Sequence, residues 1–307
     1  MKNPPSITIK SMITNAFSAR ILSLNIKSTI SPWFLILLIG SLSISCQPEK
    51  ATKQKETTQV EEAISGENKV IMAVFAHPDD ELTVGPILAK YAKAGAKVQL
   101  ITVTDGRYGT GQTDLKPGEE LVALRKKEVN CAASYLGIEA PIWLGYHDQL
   151  KLRDGYFGHV PYIQNLMREL DSLLNKIQPD IIITWGPDGG TNHMDHRIVG
   201  ASISQVYLSR IWEKTKALYY VATPSSHIDD ADQKLLRGVD DSYLAMQIPY
   251  TEEDRENTIK ALRCYKTQFS EESMNTRTER MRNGKQMIYL RPLVRAAGIS
   301  NELFKAK

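Results

Sequence analysis

Residues 75–82 read FAHPDDEL: a histidine, a proline and then Asp79, Asp80 and Glu81, directly behind the apolar run KVIMAVFA (69–76). Like charges crowded at the end of a buried segment cost free energy unless a cation or a partner offsets them. Much further along, GPDGGTNHMDHR (186–197) adds His193, Asp195 and His196. A borderline divalent ion such as zinc takes imidazole nitrogen and carboxylate oxygen, and a catalytic site leaves one coordination position for water. His77 and Asp80 sit at a strand-to-helix turn whose spacing can aim both side chains at one point. His196, at the start of a later helix, offers a third ligand, and two histidines with one carboxylate form an open set for zinc. Each cluster alone also fits a bland reading: acids favoured at a helix start, or a polar surface turn.

What must position these residues is an alternation of apolar runs and amphipathic stretches. Strand-like runs occur at 69–76, 96–104, 140–146, 180–186 and 217–222. Between them, helical spacing appears through LAKYAKAG, across GEELVALRKKEVNCAASYLG, along PYIQNLMRELDSLLNKIQ, and from about Asp195 to Trp212. Continuous apolar strands separated by helices predict a mostly parallel sheet covered by helices on both faces. Residues 251–269 read as a late helix capped by Thr251, and 286–294 as a closing strand. In such a sheet ligands gather beyond the carboxyl ends of the strands. HPDDE, TDGRYG, GYHD and WGPDGGTNHMDHR all fall there.

AHPDDE followed by GPDGG and HMDH, with RKKEVNCAASYLG and PIWLGYHD between them, resembles the LmbE-like (PIG-L) superfamily of zinc-dependent de-N-acetylases. The likeness runs from about residue 69 to about residue 200, and the C-terminal third matches only loosely. It implies a Rossmann-like three-layer sandwich and removal of an acetyl group from an N-acetylglucosamine-type sugar or conjugate. By position it implies zinc held by His77, Asp80 and His196, with Asp79 as general base. It makes His193 the stabiliser of the oxyanion, with Asp195 hydrogen-bonded to His193 and keeping it protonated. Arg125 and Asp148 match positions that hold sugar hydroxyls. The chemistry agrees: zinc lowers the pKa of bound water from 15.7 to about 7, a carboxylate can take the proton, and a cationic imidazole can face the oxyanion. Iron(II) or another divalent ion suits the same ligands.

Three positions depart from the family pattern. Met194 stands where proline is common, and Thr191 and Asn192 where many relatives carry an aromatic residue. Arg107 replaces a frequent glutamate, and a rim arginine favours a carboxylate or phosphate on the substrate; an arginine pointing into solvent is the alternative. His147 reads as a surface or supporting histidine, His159 and His227 as solvent-facing loop residues, and Trp143, Trp185 and Tyr146 as core. GRYGTG lacks the spacing of a dinucleotide fingerprint.

The chain has 307 residues and ordinary apolar content, 42%. Residues 1–45 hold Lys2, Lys10, Arg20 and Lys27 and no acid, whereas the whole chain is +3, so the remainder carries −1. No basic stripe is left to bind nucleic acid. Basic residues ahead of WFLILLIGSLSIS (33–45) resemble a bacterial lipoprotein signal, with Met1 or Met12 as its start and Cys46 as the lipidated residue. An uncleaved anchor or an ordinary secretory signal are the alternatives; all of them export the protein. Residues 46–68 read as a disordered tether, and 69–307 as one enzymatic domain. Cys131 and Cys264 fall in helix-like stretches and read as buried small apolar residues, with a disulfide or a reactive thiol as the alternative. The expected protein is thus an exported, membrane-attached hydrolase of an amino-sugar substrate. A metal-dependent amidase on a non-sugar conjugate and a non-catalytic, tethered carbohydrate-binding protein are the competing readings.

Overall fold

The computed structural model describes residues 66–294 and 301–305. The leader at 1–45, the proposed lipidation at Cys46 and the tether as far as residue 65 lie outside them. Described chain begins at a turn in which the Gly66 N–H donates to the Ala94 carbonyl at 3.0 Å.

Five parallel strands form the centre: β1 Val70–Phe75, β2 Lys97–Thr104, β3 Ile142–Tyr146, β4 Ile181–Trp185 and β5 Ala217–Val221. Two residues each of β6 (Thr223–Pro224) and β7 (Gly238–Val239) make a small separate ladder. β8 (Met246–Pro249) and β9 (Met287–Pro292) complete the main sheet in the order β3-β2-β1-β4-β5-β9-β8, with β9 antiparallel to both neighbours. The mostly parallel sheet expected from the apolar runs is therefore present, and 286–294 does supply a strand.

The side-chain alternation of β1 divides the core. Ile71, Ala73 and Phe75 face α1 (Gly85–Lys93), α2 (Glu119–Leu136) and, beyond them, α7 (Glu252–Leu262). Met72, Val74 and Ala76 face α3 (Gly155–Ile177) and α5 (Met194–Leu208). On α3, Leu166, Leu170 and Leu174 recur every fourth residue and are fully buried, each contributing roughly 1.5–3 kcal/mol. Layers on both faces make the three-layer sandwich.

Strand order runs outward from β1 in one direction and from β4 in the other, so the switch point lies between them. A crevice opens there, beyond the carboxyl ends of both strands. That crevice receives HPDDE from β1 and the segment through α4 (Gly189–Asn192) from β4.

Some boundaries moved. α3 begins at Gly155 and carries Pro161 inside it, so His159, read as a loop residue, is helical and half-buried, with Nδ1 bonded to the Leu150 carbonyl at 2.7 Å. The late helix stops at Leu262, and a further helix, α8 (Glu271–Asn283), capped by Ser270, follows after a turn. α4, α6 (Ala231–Arg237), β8 and the β6–β7 ladder were likewise not anticipated.

The two thiols are also corrected. Cys131 on α2 and Cys264 just after α7 form a disulfide, with their Cα atoms 5.9 Å apart. Helices α2 and α7 lie side by side, which brings together residues separated by 133 positions. Replacing both cysteines by serine is expected to cost about 2–4 kcal/mol, read as a lower denaturant midpoint. An unchanged midpoint would mean that the bridge contributes nothing.

Candidate metal centre

The three acids of HPDDE have three destinations because the chain enters a 3₁₀ turn at Asp80–Thr83, where successive side chains diverge by about 120°. Asp79 reaches the crevice from a backbone at φ 111°, a conformation costly for a non-glycine residue and concentrated at functional sites. Its amide donates to Glu81 Oε2 at 3.1 Å, and Glu81 Oε1 accepts from Tyr265 Oη at 2.5 Å. Burial pushes the Glu81 carboxyl up to about 8, against the opposing Tyr265 hydrogen bond.

Asp80 uses its oxygens differently. Oδ2 accepts from the amides of Ala76 and His77 and from Trp185 Nε1, at 2.9–3.0 Å. Oδ1 is left facing His196 Nε2 at 3.2 Å. Burial resists ionisation, but when the imidazoles are protonated the hydrogen bond and charge of His196 and the charge of His77 hold Asp80 well below the usual carboxylate range.

Outer partners fix the two imidazoles. His196 Nδ1–H donates to the Gly189 carbonyl at 2.8 Å, and His77 Nε2–H donates to Asp195 Oδ2 at 3.0 Å. These bonds assign the tautomers. The remaining nitrogens, His77 Nδ1 and His196 Nε2, then face one another as lone pairs at 3.1 Å, with Asp80 Oδ1 beside them. Such a cluster of acceptors calls for a positive charge in its midst. Donors held about 2.05 Å from a tetrahedral ion lie about 3.3 Å from one another, close to the 3.1 Å between the two imidazoles and the 3.2 Å from His196 to Asp80. The residues fit a divalent ion.

Without an ion, a proton must fill that role. Burial alone would lower the His77 pKa, yet the Asp195 hydrogen bond and the charges of Asp80 and Asp148 raise it to about 9.

Among the described residues, the groupings whose donor atoms all lie within 4.8 Å of one another are His77 with His193 and His196, and His77 with Asp148 and Asp195. Their donors are more heavily committed. His193 Nδ1 accepts the Asp195 amide at 3.2 Å. Asp148 accepts from the amides of Gly106 and Tyr108, and Asp195 Oδ2 takes both His77 and the Gln149 amide. His77, Asp80 and His196 are the set with converging unspent lone pairs.

The sheet and α5 hold this set in place. Trp185, at the end of β4, stacks on the His196 ring at 4.5 Å and 3°. A Cβ on Gly190 would strike the Trp185 ring at 2.6 Å, and one on Gly200 would strike its carbonyl oxygen at 2.2 Å, so glycine at both positions permits the close approach. Gln149, Leu150 and Lys151 all have positive φ, strain that aims the Gln149 amide at Asp195.

A cavity of about 540 Å³ opens over these groups. His77, Asp79, Asp80, His193, Asp195 and His196 all line it, as do Arg125 and Asp148. The expected role of Asp195 needs correction: its carboxylate orients His77, and His193 receives only its backbone N–H. Burial and the charges of His77 and His196 lower the His193 pKa, which disfavours the cationic form. Arg125 is 2% exposed, donates to the Pro78 carbonyl at 3.0 Å and lies 3.8 Å from Asp79 Oδ2. Its Nε and Nη1 are buried and make no hydrogen bond within the protein, with Nη1 3.8 Å from Glu128 Oε2.

Arg107 does not serve the cavity. Its guanidinium bonds Asp105 at 2.6–2.8 Å and Glu119 at 3.1 Å, which neutralises it outside the wall. Thr191 lines the cavity, whereas Asn192 turns away to the Leu236 carbonyl. Sequence reasoning missed Trp185 as a support of the site; a tryptophan at the carboxyl end of a central strand was the available signal. Asp195→Asn is expected to weaken metal binding ten- to a hundredfold by releasing His77, measured by chelator competition; unchanged affinity would remove Asp195 from that role.

Residues 72–207 match the family model described as GlcNAc-PI de-N-acetylase. Over 235 residues the chain is 28% identical to the 1D-myo-inositol 2-acetamido-2-deoxy-alpha-D-glucopyranoside deacetylase of Mycobacterium sp. (strain JLS), covering 65% of this chain and 74% of that protein. Among solved structures, N,N'-diacetylchitobiose deacetylase from Pyrococcus horikoshii aligns with a TM-score of 0.55 at 20% identity, over 73% of this chain and 84% of that one. The 4-carboxy-2-hydroxymuconate hydratase GalB of Pseudomonas putida KT2440 aligns with a TM-score of 0.54 at 13% identity, over 76% and 99%. These structures share the fold, and the fold alone does not select the reaction.

Proposed function

We infer, starting from a PIG-L family domain at residues 72–207, that this chain is an exported, zinc-dependent N-deacetylase of an N-acetylglucosamine-type sugar or conjugate. The observation that carries this reading is the convergence of the free lone pairs of His77, Asp80 and His196, with the carboxylate of Asp79 beside them. The deacetylase name borne by the 28%-identical relative points the same way.

Bound zinc supplies Lewis acidity and an activated water at neutral pH. The chain does the rest. Burial pushes Asp79 up to about 7, with Arg125 opposing and Asp80 adding to the rise, and a positive charge beside Asp80 favours its ionised form. Asp79 takes the water's proton as the new C–O bond forms. His193, with Nδ1 occupied, offers its other ring nitrogen as an N–H donor to the developing oxyanion. The proton held by Asp79 then passes to the leaving nitrogen as the C–N bond breaks, giving acetate and a free amine. Arg125, which lines the cavity 3.8 Å from Asp79, is the cation placed to meet the sugar.

Export, with Cys46 lipidated and the domain tethered to a membrane of the cell envelope, belongs to the same proposal. The Cys131–Cys264 bridge supports it, because disulfides persist in oxidising compartments. Acetate release from a panel of N-acetylated sugars, with and without chelator, tests the enzyme. Release that stops with chelator and returns with zinc is expected; no release from any sugar, or release indifferent to chelator, would overturn the assignment.

A further inference from the structure

We propose that Arg277 selects substrates bearing a negative charge, a carboxylate or a phosphate, on the part of the conjugate remote from the acetamide. The inference rests on the deacetylase reading and adds the substrate class.

Part of the cavity lining comes from residues beyond the family-matched stretch. Gln268 and Phe269 in the turn before α8, and Arg277 and Met281 on α8, contribute to it. Arg277 is exposed at this wall, with its guanidinium carbon 4.3 Å from the centre of the Phe269 ring. An aromatic face holds a guanidinium in place and leaves its N–H edge free.

Neighbouring arginines are neutralised. Arg263 pairs with Glu271, Arg282 with Glu256, and Arg255 with Glu252. Arg277 has no such partner among the described residues. The acids of the cavity are engaged elsewhere: Asp80 with the imidazoles, Asp148 with two amides, Asp195 with His77 and Gln149, and Asp79 opposite Arg125. Behind Arg277 a polar recess carries Arg280 and Glu272, two arginines against one acid. The cavity lining thus includes, besides the reacting groups, a cation with no acidic partner among the described residues. A planar guanidinium matches a carboxylate or phosphate through paired N–H donors.

The test uses three N-acetylglucosamine glycosides that differ only in the attached group: neutral, carboxylate-bearing or phosphate-bearing. The expected result is that at least one anionic member has kcat/KM about tenfold or more above the neutral one, and that Arg277→Ala removes this advantage through KM with kcat retained. Arg277→Lys should keep part of it, and added salt should erode it. Preference for only one anion identifies which of the two is recognised. Equal rates across the panel in the wild type, or an equal loss on all three in Arg277→Ala, would overturn the proposal.

Calorimetric titration of the same glycosides separates this inference from the reading beneath it. If no acetate is released, the deacetylase assignment fails; salt-sensitive binding of an anionic member that Arg277→Ala abolishes would still support the arginine. Binding indifferent to charge would dismiss it.

Discussion

Asp79→Asn is expected to retain a full complement of metal and to lose about 10²–10⁴-fold in kcat. The substitution is nearly isosteric, and asparagine tolerates the positive φ at this position better than most residues do. The Asp79 amide that bonds Glu81 is unchanged, and the oxygens of Asp80 keep their three N–H donors. Only the capacity to accept a proton beside the ligand set is removed. Metal content by mass spectrometry and kcat on the best acetylated sugar decide the matter. A variant with full metal and more than about a tenth of wild-type turnover would refute a general-base role, whose loss should exceed tenfold by a wide margin.

His196→Ala should remove metal binding at stoichiometric concentrations, and activity with it. Losing a direct ligand must exceed the ten- to hundredfold cost of disturbing an outer partner. His196 separates metal loss from misfolding better than Asp80 does. Asp80→Ala would also strand the Ala76, His77 and Trp185 donors, each at about 1–3 kcal/mol, and would confuse misfolding with metal loss. His196 gives up one hydrogen bond to Gly189 and its stack on Trp185. The wild type should also lose metal in acid. His77 holds a proton up to about 9 when no cation is present, so proton and metal compete below that value and affinity falls as pH falls. Tight metal binding by His196→Ala, or wild-type affinity flat between pH 6 and 8, would contradict the ligand set.

Much of this was legible in the sequence because it is local. Continuous apolar strands gave the parallel sheet, and a parallel sheet places HPDDE and HMDH at one edge without further information. The carboxylate of Asp195 was misassigned for a physical reason. His193 lies only two residues before it, but on the first turn of α5 the side chain points back across the crevice to His77, a direction that spacing does not reveal. Arg107 misled in a similar way, since a charge's meaning depends on whether Asp105 and Glu119 reach it first. The disulfide was hidden because it depends on the lateral packing of α2 against α7. Helix α8 was hidden because its sequence, EESMNTRTERMRN, buries only Met274 and Thr278 and so has little apolar rhythm.

The cavity wall supplied by Gln268, Phe269, Arg277 and Met281 has a consequence for how such a protein can diversify. The metal-binding and reacting groups and the tail-derived part of the cavity lining occupy different stretches of one polypeptide, the first ending before residue 207 and the second running from residue 262 onward. Drift or deliberate grafting in the tail can re-aim the enzyme toward a new conjugate while its hydrolytic apparatus stays as it is.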